Sequence, residues 1–161
     1  IFGAMFGPRP FDVAREMVRV TKPGGRIVMG NWIPNDPTFV SQLLKVTSAF
    51  TPPPPEGFIS PMLWGVESDI VARFGQAGIP AGRIQMTRDT YYFAHPEKTP
   101  EQFIELFEAY YAPTMKAVEA ARGHGRELEL HAQLVDLANA HNRSEAGTLI
   151  PATFLRVVVN V

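Results

Sequence analysis

The chain has 161 residues, 45% of them hydrophobic and 19% charged, which is enough for one domain with its own core. It contains no cysteine, so disulfide scaffolds, thiolate metal sites and thiol nucleophiles are excluded. Lys+Arg 15 against Asp+Glu 16 leaves a net charge of −1, without the basic excess that marks a nucleic-acid binder.

At the start, Ile1-Phe2-Gly3 reads as the end of a buried strand, and a chain that opens inside an element reads as a fragment. Phe11, Ala14, Met17 and Val18 then follow helical spacing between Pro10 and Thr21. Pro10 suits the first helical position and Asp12 the first turn. Lys22-Pro23-Gly24-Gly25 stops this helix, and the apolar run Ile27-Val28-Met29 predicts a strand buried on both faces, as in a parallel sheet. Asn35-Asp36-Pro37 predicts an N-cap with a first-turn proline, followed by a helical stripe of Phe39, Val40, Leu43, Leu44 and Thr47 that Phe50 extends. Pro52 to Pro55 must be extended.

A short helix is expected over Glu67–Gln76, with Ile70, Val71 and Phe74 inward and Gly75 or Gly78 at its end. Arg83 to Ala94 is rich in β-branched and aromatic residues, as a long strand requires. Thr99-Pro100-Glu101-Gln102 has capping-box spacing, Pro113 should kink or divide the helix that follows, and Gly123-His124-Gly125 should break it. A further helix carries Leu130, Leu134, Leu137 and Ala138 on one face, and Phe154 to Val161 closes the chain as a strand. Strands alternating with helices predict an α/β fold around a central sheet. No apolar run reaches the about 20 residues that span a bilayer, and no charged-then-apolar leader opens the sequence, so no membrane association and a cytoplasmic location are expected.

The stretch Phe2-Gly3-Ala4-Met5-Phe6-Gly7-Pro8, followed by Ala14 to Arg26 with its Arg19-Val20-Thr21-Lys22-Pro23-Gly24-Gly25-Arg26 ending, resembles the class I S-adenosylmethionine-dependent methyltransferases. It is similar to the region after their fourth strand, in the ubiquinone/menaquinone-biosynthesis-like small-molecule group. Asn31-Trp32-Ile33-Pro34, the Pro52–Pro55 run and Ser60-Pro61-Met62-Leu63-Trp64-Gly65 also look like one subgroup. The resemblance implies a partial Rossmann-like sheet, strands four or five to seven, in a single truncated domain over 1–161. A helical insertion over 96–151 would precede the last strand, and the last two strands would pair antiparallel. It also implies in-line methyl transfer to a small, largely apolar acceptor. The family's glycine-rich loop after its first strand has no counterpart here, so the chain alone should bind S-adenosylmethionine poorly and be inactive.

By the same resemblance, Phe2 and Gly3 lie beside the cofactor, with Met5 and Phe6 nearer the acceptor. Open α/β sheets bind ligands beyond the carboxyl ends of their strands, which points also to Asn31 and Trp32. Tyr91, Tyr110, Tyr111 and Met115 gather around the insertion with Tyr92 and would line an aromatic acceptor pocket, although each also suits a core or an interface. His95 closes the long strand and is the one candidate base, against a plain surface histidine. His124, His131 and His141 lack the spacing of a zinc helix, so no metal is expected. A non-catalytic binding or dimerisation module is the alternative: an incomplete sheet exposes an edge that invites a second chain, so self-association of the isolated chain is expected.

Overall fold

The computed structural model describes residues 2–161. Among the described residues, six α-helices are arranged in chain order with three strands: α1 (Pro10–Val20), β1 (Arg26–Trp32), α2 (Phe39–Ser48), α3 (Glu67–Gln76), β2 (Ile84–His95), α4 (Pro100–Tyr110), α5 (Ala112–Gly123), α6 (Glu127–His141) and β3 (Thr148–Asn160). The strands form an antiparallel sheet of order β1-β3-β2. β1 and β3 pair from Arg26↔Asn160 to Trp32↔Phe154. The architecture is thus mixed α/β. The parallel pairing read from Ile27-Val28-Met29 is corrected: β1 runs antiparallel to β3, and Val28 is 47% exposed. A continuous apolar run looks the same in either kind of sheet, so the run could not choose between them.

The chain packs as two compact units. One takes residues up to Pro34, Gly57–Asp89 and Thr153–Val161; the other takes Asn35–Glu56 and Thr90–Ala152. In the first, α1 lies against α3, with Ala14, Ile70 and Phe74 fully buried. Val71, expected inward, is half-buried. Gly24 turns α1 into β1 at φ +78°, a left-handed conformation open to glycine. That turn is tied to the end of β3: Gly24 N–H donates to the Val161 carbonyl at 2.8 Å, and Val161 N–H to the Gly25 carbonyl at 2.9 Å. A short 3-10 turn at Pro61–Gly65 packs on β1, so closely that a Cβ on Gly65 would overlap the Trp32 carbonyl.

The second unit is a helical cluster in which α2 packs against α5 and α6, and α4 against both of those. Thr99 and Gln102 form the expected capping box, Pro113 sits in the first turn of α5, and Gly125 at φ +68° separates α5 from α6. Leu130, Leu134 and Ala138 are buried on α6, whereas Leu137 is half-buried.

Three further expectations are corrected. Phe2 and Gly3 form a turn, Gly3 having helical dihedrals (φ −77°, ψ −35°), and Ile1 lies outside the described residues. The Asn35-Asp36-Pro37 segment is a turn before α2. Asn35 has φ 59°, Thr38 is the residue at the cap, and its N–H donates to Asp36 Oδ1 at 2.9 Å. Competition from this local side-chain bond is what moves the helix start. Finally, β3 starts at Thr148, six residues before Phe154, so the helical segment between β2 and β3 ends before residue 151. Pro151 obscured this start. β1 pairs only with residues 154–160, so β3 has at most one neighbour at Pro151 and the missing N–H is tolerated.

Candidate functional site

The carboxyl end of β1 brings together one group of the predicted residues. The Phe2 ring stacks on Trp32 with centroids 4.1 Å apart and planes 6° from parallel, and Phe154 meets both edge-on at 5.4 and 6.3 Å. The register explains the last contact, because Phe154 stands opposite Trp32 across the ladder. Each such ring pair contributes about 0.5–1.5 kcal/mol beyond area burial. Met5 is buried at 2% exposure in the 3-10 turn Ala4–Phe6, whereas Phe6 is half exposed. A Cβ on Gly3 would meet nothing within 4 Å, so packing does not require glycine there.

Asn31, one residue before Trp32, is wholly buried, and neither Oδ1 nor Nδ2 has a hydrogen-bond partner among the described residues. Leaving a buried amide unpaired costs roughly 2–7 kcal/mol, depending on the reference medium. In the same unit Arg73 is also buried, its guanidinium 4.5 Å from the Trp64 ring centroid and its Nη2 3.6 Å from Asp69. Burial lowers the Arg73 pKa, and Asp69 opposes that shift. A groove of about 390 Å³ runs along α1, lined by Pro8, Arg9, Asp12, Val13, Glu16, Met17 and Val20. It is lined by none of the predicted site residues.

In the second unit, Tyr91 and Tyr111 join one ring network. Tyr91 meets Phe93 at 4.9 Å, Phe93 meets Phe107 at 5.6 Å, and Phe107 meets Tyr111 at 5.3 Å. Phe39, fully buried, contacts Phe93, Phe103, Phe107 and His141. Burial pushes the Tyr111 phenol up to about 12, so it is neutral at physiological pH. Tyr110 is 81% exposed, and Met115 is also exposed. His95 is half-buried with its ring 5.6 Å from Phe103. His131 bridges α6 to α4: its Nδ1 lies 3.0 Å from Glu108 Oε1, and its Nε2 lies 3.8 Å from Glu101. The hydrogen bond to Glu108 raises the His131 pKa, while burial, then Arg143, lowers that of His141.

Sequence reasoning placed Asn31 beside the site without seeing its isolation, and it missed Arg73 and the His131–Glu108 bridge. Their spacing carries no signal: Glu108 and His131 are 23 residues apart on different helices.

No protein-family model matches the chain. It is 29% identical over 117 residues to Uncharacterized protein Rv1403c of Mycobacterium tuberculosis strain H37Rv, and to the same extent to Uncharacterized protein Mb1438c of Mycobacterium bovis. The match takes in 71% of this chain but only 40% of each relative, so the chain spans well under half the length of the curated relatives it matches. Among the described residues, no helix is long and apolar enough to cross a membrane.

Proposed function

We propose that this chain is the C-terminal part of a cytoplasmic S-adenosylmethionine-dependent methyltransferase that acts on a small, largely apolar acceptor. The observation that carries the reading is the junction Lys22–Gly25, where a left-handed Gly24 delivers α1 directly into β1. This is the helix–glycine–strand arrangement on which the resemblance rests. The antiparallel pairing of the last two strands, β2 and β3, supports it as well. So does the aromatic cluster at the carboxyl end of β1, the end at which the parallel sheet of the resembled family would hold a ligand.

The residues present do not fit a complete cofactor site. Both strand-to-helix links, 33–38 and 96–99, lack glycine, so neither offers the bare backbone with which the family's glycine-rich loop approaches a nucleoside. In this reading the cradle belongs to upstream sequence, Phe2 and Gly3 border the cofactor, and Met5, Phe6 and Trp32 face the acceptor. Calorimetric titration with S-adenosylmethionine tests the reading on this chain and on the chain joined to its natural upstream sequence. Heat should appear only with the extended protein; no heat from either would refute it.

A second reading, a non-catalytic dimerisation module, draws on β1. This strand has one neighbour, β3, among the described residues, with Val28 47% exposed upon it. A concentration-independent monomer in sedimentation would eliminate it.

A further inference from the structure

We propose that Asn31 is an acceptor-binding residue whose buried amide pairs with a hydroxyl or carboxamide group on an otherwise apolar ligand. Calling that ligand a methyl acceptor rests on the methyltransferase reading; the need of the amide for a partner does not. Asn31 is 0% exposed, and both its polar atoms lack partners among the described residues. Alternate residues of a strand share a face, so Asn31 shares its face with Met29, and across the ladder it stands opposite Leu155. Both neighbours are buried and apolar. An aliphatic side chain would suit this layer, whereas an amide is at home there only when something pairs with it.

The chemistry of the partner follows from the amide, which offers two N–H donors and one carbonyl acceptor. A carboxylate only accepts and would leave Oδ1 unpaired. An ammonium only donates and would leave Nδ2 unpaired. A hydroxyl or a carboxamide both donates and accepts, and so satisfies both atoms. The position agrees with the methyltransferase reading: Asn31 is the penultimate residue of β1, next to Trp32 with its stacked Phe2, at the strand end where the parallel sheet of that family would hold its ligand. Arg73 Nε and Nη1 also lack hydrogen-bond partners among the described residues, but its charge has the Trp64 ring and Asp69 beside it.

The test uses the chain joined to its natural upstream sequence, with phenol, benzamide and toluene as ring-matched probes titrated by NMR. Wild type should bind phenol and benzamide at least tenfold more tightly than toluene. Asn31→Leu should abolish that preference while toluene still binds, and Asn31→Ala, which adds no volume, serves if the leucine variant does not fold. Equal binding of the three probes by wild type, or a preference that survives loss of the amide, overturns the proposal. S-adenosylmethionine titrated into the same protein separates the two readings. A polar preference without cofactor binding leaves the Asn31 assignment standing and removes the methyltransferase; cofactor binding without the preference does the reverse.

Discussion

Asn31 and Asn142 are the same residue in opposite circumstances. Asn142, after α6, donates from Nδ2 to the carbonyls of Ser144 (3.2 Å) and Gly147 (2.9 Å), and its Oδ1 accepts from the N–H groups of Ser144 (3.3 Å) and Leu149 (2.7 Å). Every polar atom of its side chain is used to fold the loop that enters β3. Asn31 is more deeply buried and makes none of these bonds among the described residues. The contrast separates a polar residue whose bonds shape the backbone from one whose polar atoms have no bond within the described residues.

The most damaging test of the β1 end is Gly65→Ala. The new Cβ would overlap the Trp32 backbone carbonyl, and no rotamer relieves a clash at Cβ. A loss of about 3 kcal/mol or more is expected in denaturant unfolding; a neutral result would mean that the 3-10 turn does not hold the end of β1 in place. Asn142→Ala comes next. Removing four hydrogen bonds and stranding the Leu149 N–H should cost about 2–4 kcal/mol, and a loss below about 0.5 kcal/mol would erase the distinction between the two asparagines.

Thr99→Ala removes the side-chain half of the capping box, in which Gln102 N–H donates to Thr99 Oγ1 at 3.2 Å. It should lower stability by about 1 kcal/mol, with faster hydrogen exchange confined to the first turn of α4. The smallest effect is the pH dependence of His131. Its pKa is raised in the folded state, chiefly by the Glu108 hydrogen bond. Its contribution is therefore fully present below the unfolded value of about 6.5 and is lost as pH rises through the folded value. Because the imidazole is 31% exposed, solvent screening keeps the effect under about 1 kcal/mol. Proton NMR should show His131 titrating at higher pH than His141, and Glu108→Gln should lower the His131 midpoint.

Legibility in the sequence followed how local the determining interaction is. The limits of α3, the capping box at Thr99 and the breaks at Pro113 and Gly125 were all readable, because each depends on residues within one or two turns. The start of β3 was not readable. Pro151 looks like a breaker until the register shows that β1 does not pair with that part of the strand. Nor was the cap of α2, where Asp36 bonds Thr38 and shifts the first turn. At the carboxyl end of β1, Trp32 was singled out from its place after a strand and Phe2 from the resemblance, but the stacking of one ring on the other was not legible. The isolation of Asn31 was invisible for the same reason: it depends on Met29, two residues earlier, and on Leu155, more than a hundred residues away.

By itself, then, the sequence determined the helices, the strands β1 and β2, the closing part of β3 and the helix–glycine–strand junction, since dihedral preference, capping and periodicity act over a few residues. Only the tertiary structure decided that the sheet is antiparallel with β3 between β1 and β2, and that the half-buried Asn142 is satisfied while the buried Asn31 is not. Both depend on which distant groups meet, and an apolar run or a lone amide has the same local chemistry whichever partner the fold brings to it.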